Sequence, residues 1–219
     1  MKLIPISEIF MGLQGEGRYT GHPAVFVRVS GCTRHCSYCD SSFHRQPIAK
    51  LSPEDILAEI KKCGKDLKDY RVVLTGGEPL LFADEMQEIA PQVSYMDIET
   101  NGDLIKDSHE DVGFILCLFD YVAISPKNIT VAKRMCDFFK EQLAKPPSDC
   151  NCDIKVVTDG KKIGMDMVPY ATMLMPLTTF DRNESALIRQ RVWNLCIKES
   201  KIYSGRQHVE VWGPKMRRV

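Results

Sequence analysis

The sequence predicts an α/β fold on a largely parallel sheet, and three observations carry that expectation. Short apolar runs alternate with longer stretches of helical pattern, the signature of βα units. Three apolar runs end in polar or Gly-rich turns: Thr75-Gly76-Gly77-Glu78-Pro79, Glu99-Thr100-Asn101-Gly102 and Ser125-Pro126-Lys127-Asn128. Such turns belong at the C-terminal ends of parallel strands, where α/β proteins bind ligands. Finally, 219 residues without an internal repeat, low-complexity tract or linker suit one domain spanning residues 1–219.

The elements follow in order. Ile4–Phe10 reads as a strand running into Met11-Gly12-Leu13-Gln14-Gly15-Glu16-Gly17, whose glycines permit close approach of a ligand to the main chain. Gln14 and Glu16 between them are poorly suited to packing. Ala24–Ser30 is a strand with Val25, Val27 and Val29 on one face and Phe26, Arg28 and Ser30 on the other. The valines are expected to meet helices, which turns Arg28 toward the interior. A buried guanidinium needs an anion, either a structural Glu or a substrate carboxylate. Ser52-Pro53-Glu54-Asp55 opens a helix to about Lys62, with an N-cap serine and a proline at the first position.

Arg71–Thr75 is the next strand, and a helix is expected over Leu81–Val93. Strands follow at Tyr95–Glu99 and Tyr121–Ser125, with Asp97 and Glu99 on one face of the first. A helix over Thr130–Lys145 places Val131, Met135, Phe138, Phe139 and Gln142 near one face that packs on the core. Cys152–Val157 and Thr172–Met175 read as strands, Asn183–Ser200 as a helix with Leu187, Val192, Leu195 and Cys196 inward, and His208–Trp212 as a last strand.

Composition narrows function. Lys and Arg total 29, as do Asp and Glu, so no broad basic field is offered to nucleic acid. No apolar run is long enough for a bilayer, and the N-terminus lacks the apolar core of a signal peptide. A cytoplasmic protein is therefore expected. Its nine cysteines are then reduced; Cys63, Cys117, Cys136 and Cys196 read as packing residues, and Cys150 and Cys152, flanking Asn151, have no nearby partner to complete a second metal site. The other three form one cluster.

That cluster is Gly31-Cys32-Thr33-Arg34-His35-Cys36-Ser37-Tyr38-Cys39-Asp40-Ser41. Three thiolates on one short loop suit a four-iron cluster with one iron left without a protein ligand, where a small molecule coordinates. A zinc site with His35 or His44 as the fourth ligand is the alternative. Asp40 and Ser41 supply hard oxygen ligands of the kind Mg2+ takes, or cap a turn.

The Cys-x3-Cys-x2-Cys spacing resembles the radical S-adenosylmethionine (SAM) superfamily. Taken with Leu13-Gln14-Gly15-Glu16-Gly17, Arg28, Cys-Asp-Ser, Thr-Gly-Gly-Glu-Pro, Glu-Thr-Asn-Gly and Ser-Pro-Lys in that order, the chain resembles the 7-carboxy-7-deazaguanine synthase (QueE) family. The likeness runs from residue 8 to 127 and returns near His208.

The resemblance implies a partial TIM-like barrel with fewer than eight units. It implies conversion of 6-carboxy-5,6,7,8-tetrahydropterin to 7-carboxy-7-deazaguanine with loss of ammonia, through a 5′-deoxyadenosyl radical. The product is a 7-deazapurine precursor of queuosine or archaeosine. Cofactors implied are a [4Fe–4S] cluster on Cys32, Cys36 and Cys39, SAM, and Mg2+ on Ser41. SAM contacts match Tyr38, Cys39, Asp40, Gly77, Glu78, Ser125, Pro126 and Lys127, with Met175-Pro176 continuing that wall. Substrate contacts match Leu13, Gln14, Gly15, Arg28, Thr75, Glu99 and His208. A homodimer and an external one-electron donor, flavodoxin- or ferredoxin-like, are implied as partners. A different radical SAM enzyme, such as a glycyl-radical activase, is the rival reading; it would act on a protein partner and need neither Arg28 nor Mg2+.

Overall fold

A computed structural model describes the chain except for residues 1–2, 38, 40–45, 66–67, 107, 142–150 and 214–219. One nine-stranded sheet runs in the order β3-β1-β2-β4-β5-β6-β7-β8-β9. The strands are β1 (Ile4–Leu13), β2 (Pro23–Val29), β3 (Ala49–Leu51), β4 (Arg71–Gly76), β5 (Met96–Thr100), β6 (Tyr121–Ile124), β7 (Cys152–Thr158), β8 (Met173–Pro176) and β9 (Ile202–Tyr203). From β2 to β9 every pairing is parallel, while β1 runs antiparallel to β2 and β3. The expected largely parallel α/β sheet is what forms. Its first and last strands, β3 and β9, are not neighbours in the ladder, as in an incomplete barrel.

Helices α1 (Pro53–Gly64), α2 (Ala83–Met86), α3 (His109–Leu118), α4 (Ile129–Glu141), α5 (Arg182–Glu199) and α6 (Gln207–Trp212) complete it. Helix α1 starts as expected: Ser52 accepts from the Asp55 N–H, and Asp55 accepts in return from the Ser52 N–H, closing a capping box. Val25, Val27, Val29, Val72, Leu74, Ile98, Ile124, Ile154 and Val156 form one buried core with Ile56 and Ile60 of α1, Met135 and Phe139 of α4, and Ile188 and Val192 of α5. The valines of β2 therefore meet helices, and Arg28 faces the other way.

Three expectations are corrected. The segment after Pro79 is no continuous helix: a 3₁₀ turn (Pro79–Phe82), the single turn of α2, and another 3₁₀ turn (Ala90–Gln92) replace it. Pro91 removes an N–H and its ring clashes one turn back, so a helix through it is interrupted. His208–Trp212 is helix α6, not a strand. Leu187 is about half exposed, because α5 buries the stripe Ser185, Ile188, Val192 and Cys196 instead.

Candidate functional site

The inner face of the sheet carries the chemistry. Cα pairing aligns Glu8, Arg28 and Thr75 across β1, β2 and β4, and Glu99 of β5, one residue beyond the paired Ile98, aligns with Ala123 of β6. Thr75 donates its hydroxyl to Glu99 Oε2 (2.8 Å), and Gln14 Nε2 donates to Glu99 Oε1 (3.2 Å). The Gly-rich loop after β1 thus folds back onto this inner face. Gly15 lies against the His208 ring, where an added Cβ would stand 2.0 Å from Nδ1. Its carbonyl accepts from the Gln207 N–H, and the Gly17 N–H donates to Ser204 Oγ. Gln14, Gly15, Thr75, Glu99 and His208, five of the expected substrate residues, are gathered here.

Beneath them lies a buried charge group whose roles the sequence reading left unassigned. Lys155, on the inner face of β7, donates to Glu16 Oε2 at 2.7 Å and stands 3.9 Å from Glu99 Oε1. Arg206 pairs with the other Glu16 oxygen at 2.8 Å. Burial favours neutral Glu16, but the charges of Lys155, Arg206 and His208 outweigh it and hold the carboxyl well below the usual range. Burial likewise opposes the Lys155 charge, and Glu16 and Glu99 reverse that and raise its pKa. The available signal was alternation: Asp153 and Lys155 interleave with the fully buried Ile154 and Val156.

Arg28 lies 3.5 Å from Glu8 Oε2, so the structural carboxylate partner is present. Leu13 stands apart: alternation in β1 places it opposite Glu8, Phe10 and Gly12, and its side chain is half exposed. It does not join the group.

At the C-terminal ends of the strands, the cysteine loop is clamped. The Gly77 N–H donates to the Val29 carbonyl, and the Glu78 N–H to the Gly31 carbonyl. The fit requires glycine, since a Cβ on Gly77 would fall 1.6 Å from the Gly31 oxygen. Glu78 ties the two strand ends together. It is fully buried and accepts from the Leu80 N–H, the Thr100 hydroxyl and the Asn101 N–H. Those donors make it a brace between the ends of β4 and β5. Burial pushes its carboxyl upward, despite those hydrogen bonds.

Asn101 Nδ2 donates to Thr33 Oγ1 (2.9 Å) and approaches Cys32 Sγ (3.9 Å). Arg34 makes a two-pronged pair with Asp103, 2.6 Å on each side, and Thr33 donates to Asp103 as well. Burial works against the Asp103 charge, but these bonds lower its pKa overall. Ser125 donates to the Lys155 carbonyl and accepts from Lys127 Nζ at the end of β6, with Pro126 buried beside them. Tyr38, Asp40 and Ser41 lie outside the described residues.

Cys32, Cys36 and Cys39 are half-buried on this one loop, and none is in a disulfide. Among the described residues, no three Cys, His, Asp or Glu side chains converge as they would on a single ion. A four-iron cluster asks for something different, because each thiolate binds a different iron and the sulfurs stand apart. Three accessible thiols beside a side-chain N–H donor fit that group.

A cysteine loop at the C-terminal ends of parallel strands defines a class. The radical SAM superfamily model matches residues 26–135, and the chain belongs to that superfamily. Its members carry a [4Fe–4S] cluster and SAM. Within it, the chain is similar to the 7-carboxy-7-deazaguanine synthases. One from Halobacterium salinarum is 42% identical over 51% of this chain and 44% of its own length. One from Bacteroides thetaiotaomicron is 39% identical over 51% and 58%. One from Pyrobaculum aerophilum is 28% identical over 96% and 95%. The alignments to the first two thus span about half of those relatives. The crystal structure of QueE from Escherichia coli shares the fold, with a TM-score of 0.60 and 22% identity over 94% of this chain and 95% of that one. No helix among the described residues is long and apolar enough to cross a membrane.

Proposed function

We propose that the chain is a 7-carboxy-7-deazaguanine synthase, contracting 6-carboxy-5,6,7,8-tetrahydropterin to 7-carboxy-7-deazaguanine with loss of ammonia. The observation that carries this is the convergence of Gln14, Thr75 and Glu99, from three distant stretches, on the inner face below the cysteine loop. Bound cluster and SAM supply a hydrogen-abstracting radical. The chain's own residues hold and orient. Cys32, Cys36 and Cys39 hold the cluster. Gly77 and Ser125–Lys127, with Tyr38 and Asp40, line the SAM side, and the Ser41 hydroxyl holds Mg2+.

Glu99, fixed from two sides by Thr75 and Gln14, presents a carboxylate to the N–H edge of a pterin. Arg28, in the same row, grips the substrate carboxylate through its fork of donors and exchanges part of its pairing with Glu8 for it. Gly15 and His208 close the pocket beside the ring. The remaining parts of the proposal are an external flavodoxin- or ferredoxin-like donor, a homodimer and a cytoplasmic location.

The test is anaerobic reconstitution with iron and sulfide, then incubation with the carboxypterin, SAM, Mg2+ and a reductant. Mass spectrometry is expected to find 7-carboxy-7-deazaguanine with ammonia in equal amount. SAM cleavage without that product overturns the substrate assignment and favours an activase. Arg28→Ala is expected to raise the KM for the carboxypterin more than tenfold while iron content stays normal. Loss of the cluster in that variant would assign Arg28 to the Glu8 pairing alone.

A further inference from the structure

Among the side chains that join the cysteine loop to the strand ends, Asn101 has a forced orientation. Asn101 is buried at the end of β5. Its backbone N–H is taken by Glu78 Oε2 at 2.8 Å, which fixes the residue from the β4 side. Its Oδ1 accepts from the Asp103 N–H at 2.9 Å. An amide with its oxygen so committed can present only its NH2 group to the other side. That group donates to Thr33 Oγ1 and lies 3.9 Å from Cys32 Sγ. Thr33 in turn spends its proton on Asp103, so its oxygen is left to accept. The amide of Arg34 adds a backbone donor to the same sulfur at 3.4 Å.

Taking Cys32 as a cluster ligand, which rests on the function proposed above, we propose that Asn101 is a positioning residue that sets the electron affinity of the cluster. One electron from an external donor converts the [4Fe–4S]2+ state to [4Fe–4S]+. The added negative charge is shared with the thiolate sulfurs. An N–H donor aimed at one of them stabilises the reduced state more than the oxidised one and raises the potential. The Glu78 brace makes the donor stiff, so it cannot turn away when the charge arrives. In this arrangement the Glu-Pro and Thr-Asn-Gly stretches act together on one sulfur.

The test uses the full chain, reconstituted anaerobically, with the cluster potential read by dye-mediated redox titration followed by EPR. Asn101→Ala and Asn101→Asp both remove the donor, and Asp keeps the acceptor for the Asp103 N–H. Both are expected to shift the reduction equilibrium about tenfold toward the oxidised state, about 59 mV for a one-electron couple. Thr33→Val, which leaves the Asn101 amide facing Cys32, is expected to shift it less. An unchanged potential in Asn101→Ala, at wild-type iron and sulfide content, overturns the proposal, even if Asn101→Asp shifts through its charge. If Asn101→Ala takes up no cluster, hydrogen exchange of the metal-free protein decides. Faster exchange at Cys32–Arg34 supports the contact, and wild-type protection there overturns it. A wild-type chain that binds no iron and sulfide overturns the cluster assignment itself, a separate failure from either of these.

Discussion

The rim and the floor of the site are both held by charges, yet in opposite settings. At the rim, Arg34 and Asp103 pin the cysteine loop with side chains 27% and 17% exposed. At the floor, Lys155 and Glu16 are 4% and 13% exposed, with Arg206 on the second Glu16 oxygen. Water screens the first pair and not the second. The rim can therefore lose a charge and keep its shape through the backbone bonds of Gly77 and Glu78. Removing one charge at the floor leaves a buried network short of a partner: Glu16 would keep Arg206, and Lys155 would keep only the more distant Glu99 among the described carboxylates.

The sharpest way to break this contrast is Lys155→Met. It takes the shorter of two ion pairs from buried Glu16 and leaves Arg206 to hold the charge, so a loss of up to about 3 kcal/mol in unfolding free energy is expected. A denaturant titration showing less than 1 kcal/mol would place the two ends on the same footing. Gly77→Ala comes next, because its methyl group meets the Gly31 carbonyl. Overpacking of this kind costs about 1–3 kcal/mol. The cysteine loop is expected to shift, with iron uptake reduced, which colorimetric iron assay would read. Arg34→Ala is expected to cost about 1 kcal/mol or less, with that cost shrinking further in high salt.

Acid titration gives the smallest effect. Asp103 has a lowered folded pKa, so its contribution is present above the unfolded value near 4 and disappears as pH falls through the folded one. Arg34→Ala is expected to flatten that acid limb when unfolding free energy is measured between about pH 2 and 5. A limb identical to wild type would move the acid sensitivity elsewhere.

Much of this was readable from residue alternation. The valines of β2 and the inward Arg28 followed from period two, as did the shared face of Asp97 and Glu99. The Gly-rich loop and the polar strand ends marked the site because glycines and charges there serve no packing purpose. What escaped depended on contacts distant in sequence. Glu78 stood out in its own motif, and only Thr100 and Asn101, some 22 residues on, reveal that its carboxylate also braces the neighbouring strand. Asp103 gained meaning only beside Arg34, 69 residues earlier. Strands β3 and β9, three and two residues long, and helix α3 were missed. Strands so short have no period to detect, and α3 is apolar nearly all round. His208, Glu210 and Trp212 alternate like a strand, yet in the structure they form a single helical stretch whose N–H groups bond to Arg206 and Val209 carbonyls.

The junction of Gly15 with Gln207 and His208 carries a consequence for how the enzyme comes into being. A nascent chain emerging from the ribosome has made its cysteine loop and most of its sheet long before the segment that completes the pocket leaves the exit tunnel. Until then, Glu16 waits without Arg206, and the glycine loop has nothing to lean on. Assembly of the site is thus deferred until Arg206, Gln207 and His208 can reach the glycine loop, and iron insertion before that point would meet an unfinished host.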